Sequence, residues 1–254
     1  SAINFNASGD LLGSVGSDPD YNLVIWNWRN ENIILKAKAF SQEIFNIQFS
    51  NNIEGKLITS GVGHIKFWEM ANTFTGLKLQ GELGKFGQIE LSDISAFLEF
   101  PDGKVLSGTE YGTFLLWEGI FIKAHIKISD DVALHSDKID YMEFEGDYIV
   151  SGGSDGYVKW WNISDFENLN IDDNSLAFIK PVKEKLLTNP ETDQPLKIIN
   201  LVKRANFWLI QDGNGYLIRV YEDDFKSQII FDFHSGPIIK SNILAGTPFL
   251  LSQG

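Results

Sequence analysis

The chain has 254 residues, of which 43% are hydrophobic and 22% are charged, so its composition is that of a folded protein with a buried core. Its formal net charge of −13 repels phosphate backbones and anionic lipid, which argues against nucleic acid or a membrane surface as the main partner. The absence of cysteine excludes disulfides, thiolate nucleophiles and cysteine-ligated zinc, and it favours a reducing, intracellular compartment.

The amino terminus, Ser1 to Phe5, alternates like a β-strand and lacks the charged and apolar regions of a signal peptide. We therefore expect the chain to begin within a strand of a longer protein. No segment of the sequence reaches the roughly 20 apolar residues that a membrane-spanning helix needs.

One pattern recurs along the chain: an alternating apolar strand, a turn, a strand that ends near Ser-Gly, a tight turn, and a strand that reaches a tryptophan. It occupies residues 2–26, 44–68, 94–117 and 139–161, more weakly 198–220, and it starts again at 237–239. The period is close to the about 40–45 residues of a four-stranded propeller blade. The predicted blades cover approximately residues 1–40, 41–90, 91–134, 135–195, 196–232 and, incompletely, 233–254.

The second and fourth repeats are longer than the others, with insertions near 71–90 and 164–195. Five to six blades do not complete a ring of about seven, and an open ring would expose strand edges. We therefore expect a single all-β domain, a partial β-propeller, whose remaining blades lie outside this chain.

The tight turn before the third strand of each repeat has a characteristic residue. Gly63, Gly112, Gly156 and Gly215 each stand five residues before the final position of their repeats, and Tyr21 takes that place in the first. Turns such as Ser154-Asp155-Gly156 predict a positive backbone φ at this residue.

The fourth repeat resembles the WD-repeat family, whose blades link a histidine, a serine, an aspartate and a tryptophan. The matching residues are His135, Ser151, Asp155 and Trp161. The resemblance implies a buried network, in which the serine accepts from the indole N–H and the aspartate orients the imidazole. It makes the predicted fold class an all-β WD-repeat β-propeller.

The other repeats match this family less completely. The first keeps Ser14, Asp20 and Trp26, the second Ser60 and Trp68, the third Ser107 and Trp117, and the sixth His234 and Ser252. The fifth repeat departs most, with Ile210, Asn214 and Val220 in the places of serine, aspartate and tryptophan.

Several residues also match catalytic or metal-binding chemistry in part. A Ser–His–Asp trio suggests nucleophilic catalysis, but here it recurs at blade spacing with a tryptophan attached. The four histidines lack the paired spacing of a zinc site, so we expect one or two of them in networks and two on the surface. Acidic pairs such as Asp130-Asp131 and Asp172-Asp173 are expected to be solvated. We predict no catalytic residue, cofactor, metal or small-molecule substrate.

The insertion near 71–90 is the candidate surface for partner proteins, because inserted loops on a rigid scaffold often carry binding. The candidate residues are Phe74, Leu77, Lys78, Lys85 and Phe86. The alternative is that Phe74, Leu77 and Phe86 pack back on the sheet. The segment Gly81–Gly87 resembles a phosphate-binding loop, but Phe86 stands where the hydroxyl residue should be.

A narrower resemblance rests on residues 15–21, 38–42, 59–64, 74–94, 106–108, 116–119 and 233–237. These segments resemble a family of large WD-repeat proteins of the ciliary and flagellar axoneme. The resemblance implies a non-enzymatic scaffold that works with a sister WD-repeat protein and tethers the motor heads of an inner-arm dynein to the doublet microtubule. The run after Trp68 also resembles the echinoderm microtubule-associated protein-like family, whose propellers bind tubulin. This resemblance implies direct tubulin binding as one alternative, and a generic protein-interaction propeller is the other.

Overall fold

The computed structural model describes residues 2–169, 175–232, 240–243 and 250–253, the last two ranges through their backbone alone. His234 and residues 237–239 of the predicted sixth repeat lie outside the described residues, as do Asp172 and Asp173. Ser252 lies on a described strand, but its side chain is outside the description. No helix in the described part of the chain has both the length and the apolarity to cross a membrane.

The first two sheets, and the first four strands of the third, are antiparallel with neighbouring strands in chain order. The first contains β1 (Ala2–Phe5), β2 (Leu11–Val15), β3 (Asn22–Asn27) and β4 (Asn32–Lys38). The second contains β5 (Ile44–Phe49), β6 (Lys56–Gly61), β7 (His64–Thr73) and β8 (Gly76–Leu83). The third contains β9 (Ile94–Glu99), β10 (Val105–Thr109), β11 (Phe114–Glu118) and β12 (Phe121–Lys127).

The second half of the chain continues in the same way. The fourth sheet contains β13 (Ile139–Glu145), β14 (Tyr148–Gly153) and β15 (Tyr157–Asn162), which are followed by the short helix α1 (Ile163–Glu167) and by β16 (Ser175–Phe178). Its outer strand is β17 (Lys183–Leu186). The fifth sheet contains β18 (Ile198–Lys203), β19 (Phe207–Asp212), β20 (Leu217–Tyr221) and β21 (Ser227–Phe231), and β22 (Lys240–Ile243) pairs with β23 (Leu250–Gln253). The prediction of an all-β fold is confirmed.

The predicted turns have the expected backbone. The φ angles are positive at Gly63, Gly112, Gly156 and Gly215, with values of 62°, 72°, 83° and 94°. Tyr21 has a φ of 45°, although an L side chain disfavours this region. The prediction that Tyr21 takes the glycine place is therefore confirmed.

The chain divides into two compact units. The first contains residues 1–134 and 165–180, and the second contains residues 135–164 and 181–254. In the first unit one core cluster includes Leu23, Ile47 and Trp68, and another includes Ile65 and Trp117. The core of the second unit includes Val158, Trp160 and Trp208. These strands are apolar on both faces because sheets stacked face to face bury both sides.

The two insertions have different structures. The insertion near 71–90 lengthens β7 and β8 into a hairpin whose pairing runs out to Thr73 and Gly76. The insertion near 164–195 is divided: Phe166 of α1 packs against Phe100 and Phe114, and β16 joins the third sheet as a parallel strand beside β12. The prediction placed this whole insertion in the fourth repeat, whereas residues 165–180 are part of the first compact unit.

Candidate functional site

Buried and half-buried tryptophans bond to hydroxyl groups on the neighbouring strand. The indole Nε1 of Trp26 donates to Ser14 Oγ at 2.8 Å. Trp117 donates to Ser107 Oγ at 2.9 Å, and Trp161 donates to Ser151 Oγ at 2.9 Å. The structure thus brings together these predicted pairs.

The second sheet uses a different hydroxyl from the one predicted. Trp68 Nε1 donates to Thr59 Oγ1 at 2.9 Å, whereas the hydroxyl of Ser60 is buried without a hydrogen-bond partner in the described structure. In each of these four sheets, the acceptor stands two residues after the residue that pairs with the tryptophan across the strands. In the second sheet, Leu57 is the residue that pairs with Trp68. Ser60 is one residue further along and points to the opposite face, because side chains alternate along a strand. The predicted bond between Ser60 and Trp68 was therefore wrong. The recurring Ser-Gly pair does not mark the residue of β6 that faces the tryptophan; strand register does.

Removing each of these two hydroxyls in turn distinguishes Thr59 from Ser60 as the acceptor for Trp68. We expect Thr59→Ala to lower the free energy of unfolding by about 1–3 kcal/mol, because it leaves the buried indole N–H of Trp68 without an acceptor. Ser60→Ala should change it by less than about 0.5 kcal/mol, because it removes a hydroxyl that is already unpaired. Urea unfolding of the two variants measures the difference, and a larger loss in Ser60→Ala would contradict the observed register.

The fourth sheet holds the complete set of predicted residues. His135 Nδ1 lies 3.0 Å from Asp155 Oδ1, and its Nε2 lies 2.8 Å from Ser151 Oγ. The carboxylate accepts at Nδ1, so Nδ1–H donates, and Nε2 accepts from the Ser151 hydroxyl. Ser151 in turn accepts from Trp161, which gives one directed chain of hydrogen bonds. The side chain of Ser151 is fully buried, so this Ser–His–Asp arrangement does not present its nucleophile to a substrate.

Asp155 closes the turn as well as holding the imidazole. Its carboxylate accepts the backbone N–H groups of Ser136 at 2.9 Å and Tyr157 at 3.0 Å. Burial alone would raise the pKa of Asp155, but the hydrogen bond from His135, together with these N–H groups, outweighs it and lowers the pKa.

The lowered pKa of Asp155 predicts how stability depends on pH. The stabilisation by the carboxylate is fully present above the unfolded pKa of about 4 and is lost as the pH falls through the lower folded pKa. We expect Asp155→Asn to reduce the free energy of unfolding by about 1–3 kcal/mol at neutral pH, and the difference from wild type to shrink below about pH 4. Urea titrations at a series of pH values test this, with the exposed Asp20→Asn as the matched control; a difference independent of pH would contradict it.

Asp20 has no such network among the described residues. Its side chain is exposed in the turn before β3, and it makes no side-chain hydrogen bond to the described residues. Its predicted network role stays a prediction. A buried carboxylate needs a hydrogen-bond donor beside it, and in the fourth sheet the His135 imidazole is that donor.

In the fifth sheet, a buried carboxylate that was not predicted from the sequence takes the place of the network. Asp212 is buried, its Oδ1 accepts the Lys197 N–H at 2.6 Å, and its Oδ2 accepts the Asn214 N–H at 3.0 Å. Ile210 and Val220 are buried apolar residues in the serine and tryptophan places. Asn214 was the residue predicted to take the aspartate place, whereas the carboxylate that accepts these hydrogen bonds belongs to Asp212, two residues earlier. An acidic residue directly before the Gly-Asn-Gly turn was the available signal.

The histidines outside the network are not arranged as metal ligands. His64 is buried, stacks on Phe40 at 3.9 Å between ring centroids, and donates from Nδ1 to the Val62 carbonyl at 3.0 Å. Burial lowers the pKa of His64 and, likewise, that of the half-buried His125. His64 is therefore not one of the surface histidines that the sequence predicts. Across the described residues no cluster of three or more His, Asp or Glu side chains could hold a metal ion.

The predicted partner-binding residues separate into two groups. Phe74 is fully exposed at the tip of the β7–β8 hairpin, Leu77 is 41% exposed, and Lys78 is exposed beside it. Phe86 is instead 8% exposed and packs edge-on against Trp117 at 5.3 Å. The candidate role of Phe86 is therefore corrected to core packing. Lys85 is exposed but lies 5.0 Å from the Phe121 ring, and its backbone N–H donates to the Ile120 carbonyl.

These features define the class of protein: an all-β repeat protein of successive sheets, each built on four antiparallel strands, with buried tryptophan–hydroxyl bonds. The chain is a homologue of cilia- and flagella-associated protein 44. It is 43% identical to the mouse protein over 249 residues, which is 93% of this chain and 13% of that protein. It is 60% identical to the Chlamydomonas reinhardtii protein over 124 residues, 48% of this chain and 7% of that protein. The chain thus spans a small part of these relatives, and the homology supports a ciliary or flagellar localisation.

More distant similarities concern the fold. The chain is 24% identical to the 77 kDa echinoderm microtubule-associated protein of Lytechinus variegatus, over 87% of this chain and 30% of that protein. The crystal structure of the computationally designed Ika8 protein matches 99% of this chain and 67% of its own, with a TM-score of 0.56 and 17% identity. No family model matches the chain.

Proposed function

We propose that the chain is a WD-repeat β-propeller segment of a non-enzymatic scaffold in the ciliary axoneme. The observation that carries this proposal is the 43% identity to mouse cilia- and flagella-associated protein 44 over 93% of the chain. The similarity to the echinoderm microtubule-associated protein and the successive four-stranded sheets support WD-repeat blades. The blades are the sheets that begin at β1, β5, β9, β13 and β18, with His135, Ser151, Asp155 and Trp161 as the structural network of one of them.

The scaffold is proposed to tether the motor domains of an inner-arm dynein to the doublet microtubule and so to regulate ciliary motility. Its partners are then a sister WD-repeat protein of the axoneme and inner-arm dynein heavy chains. The extended hairpin formed by β7 and β8 supports this role, because it displays Phe74 and Leu77 to solvent on a rigid base.

Cryo-electron tomography of cilia tests the tethering role. We expect cilia without the full-length protein to lose or displace density beside the inner-arm dynein, and wild-type protein to restore it. Phe74→Ser should restore it incompletely, because the ring is fully exposed among the described residues and is available to a partner. Leu91→Ser, which removes another exposed apolar side chain, is the matched control. Unchanged density in cilia lacking the protein would refute tethering.

A second candidate function is direct tubulin binding, which the similarity to the microtubule-associated protein favours. The net charge of −13 opposes it, because tubulin is acidic too. We expect the chain to remain in the supernatant when taxol-stabilised microtubules are sedimented at physiological salt. Saturable co-sedimentation would favour the second candidate instead.

A further inference from the structure

A cleft of about 600 Å³ lies within the first compact unit, between the second and third sheets. Its walls come from the turn after β5, from β7 and β8, and from the turns that follow β9 and β11. The floor is apolar: Leu57 and Val105 are buried, Phe67 is half-buried, and Ile53 at the edge is 40% exposed. Apolar surface in a concave site favours burial of an apolar ligand group.

The rim of this cleft is acidic. It carries the carboxylates of Glu69, Glu82, Glu99, Asp102 and Glu118 and the ammonium groups of Lys56 and Lys104. Lys104 is already used by Asp102, at 2.8 Å. Glu118 pairs with Lys123 at 3.6 Å, so three carboxylates, those of Glu69, Glu82 and Glu99, face the Lys56 ammonium group across the opening.

Two of these carboxylates make no ion pair with a described residue, although Lys56 stands opposite Glu69 in the β6–β7 pairing. Glu69 and Glu82 are exposed, and within the described part of the chain neither has a basic group within ion-pair distance. In the β7–β8 pairing, Phe67 stands opposite Glu82. Residues alternate along a strand, so Phe67, Glu69 and Glu82 project from the same face of the hairpin. These charges thus lie beside the apolar floor.

We infer that this cleft docks a segment of a partner protein in which an arginine or lysine stands next to an apolar side chain. The apolar stem of the basic residue covers the floor near Ile53 and Phe67, while its charged end bonds to Glu69 and Glu82. The cleft volume lies within the roughly 300–1,000 Å³ of ligand pockets. The inference rests on the proposed scaffold function in one respect, that the ligand is a protein.

Fluorescence anisotropy with a labelled hexapeptide of alternating arginine and leucine tests the cleft in the full chain. We expect saturable binding that weakens as salt increases, because the charges on the rim are exposed. Glu69→Gln combined with Glu82→Gln should weaken binding about tenfold. The matched control combines Asp20→Asn with Glu43→Gln, which removes the same charge from exposed positions outside the cleft and should leave affinity within about twofold.

Three results would overturn the inference: no binding to wild type, equal weakening in the two double variants, or equal affinity for a peptide with serine in place of leucine. Equal weakening would mean that the peptide senses only the net charge. A peptide with glutamate in place of arginine should not bind, and its binding would count against the acidic rim. Failure here leaves the tomography result unaffected, so loss of the cleft and loss of the tethering role are distinguishable.

Discussion

Trp161→Ala is expected to lower the free energy of unfolding by about 3–5 kcal/mol. The side chain is fully buried, so its removal leaves a cavity that the surrounding strands cannot fill. It also removes the donor to Ser151 Oγ, at the end of the chain of hydrogen bonds from Asp155 through His135. Cavity formation and loss of the indole donor both act in the same direction.

Two further variants separate these contributions. Trp161→Phe keeps most of the volume and loses the N–H, so we expect a smaller loss of about 1–2 kcal/mol. Trp28→Ala is the matched control, because Trp28 is 40% exposed and its indole bonds to a carbonyl in a surface turn. Urea unfolding followed by far-ultraviolet circular dichroism measures all three. A loss in Trp161→Ala no greater than in Trp28→Ala would contradict a structural role for the network.

Gly61→Ala is expected to destabilise the protein by about 3 kcal/mol or more, for a purely steric reason. A methyl group built on Gly61 would lie 2.1 Å from the Glu43 carbonyl oxygen and 2.8 Å from Ile44 Cα. Both are backbone atoms, and Val62 N–H donates to that same carbonyl at 3.0 Å. Relief of the clash therefore requires separation of β5 from β6.

Gly16→Ala is the control for this prediction, because no described residue other than its chain neighbours lies within 4 Å of the added methyl group. We expect Gly16→Ala to change the free energy of unfolding by less than about 0.5 kcal/mol. Hydrogen exchange adds a local measurement: the amides of β5 and β6 should exchange faster in Gly61→Ala than in Gly16→Ala. Equal stability of the two variants would mean that the β5–β6 spacing is wrong.

Features that depend on neighbouring residues were predictable from the sequence. The strands follow from alternation, and the positive φ of Gly156 and Tyr21 follows from turn geometry within a few residues. The links from His135 to Asp155 and from Trp161 to Ser151 followed from the family resemblance, and the distances place these atoms together.

Features that depend on strand register and on packing between sheets were not predictable. A shift of one residue in β6 places Thr59, not Ser60, beside Trp68, because a single step along a strand reverses the face. No local pattern in the sequence distinguishes Phe86 from a surface aromatic residue, because its burial depends on packing against Trp117. The parallel pairing of β16 with β12 joins residues far apart in the chain, which no local pattern encodes.

The amino-acid order alone was thus enough to specify an all-β repeat with its strands, its turns and the tryptophan of each of the first four repeats, because these arise from alternation and turn chemistry over a few residues. Folding in three dimensions then selected which hydroxyl bonds to which indole, which aromatics are buried, and where an apolar cleft with an acidic rim opens between the second and third sheets. These outcomes depend on distances between separate sheets, and such distances are set by the packing of side chains that lie far apart in the sequence.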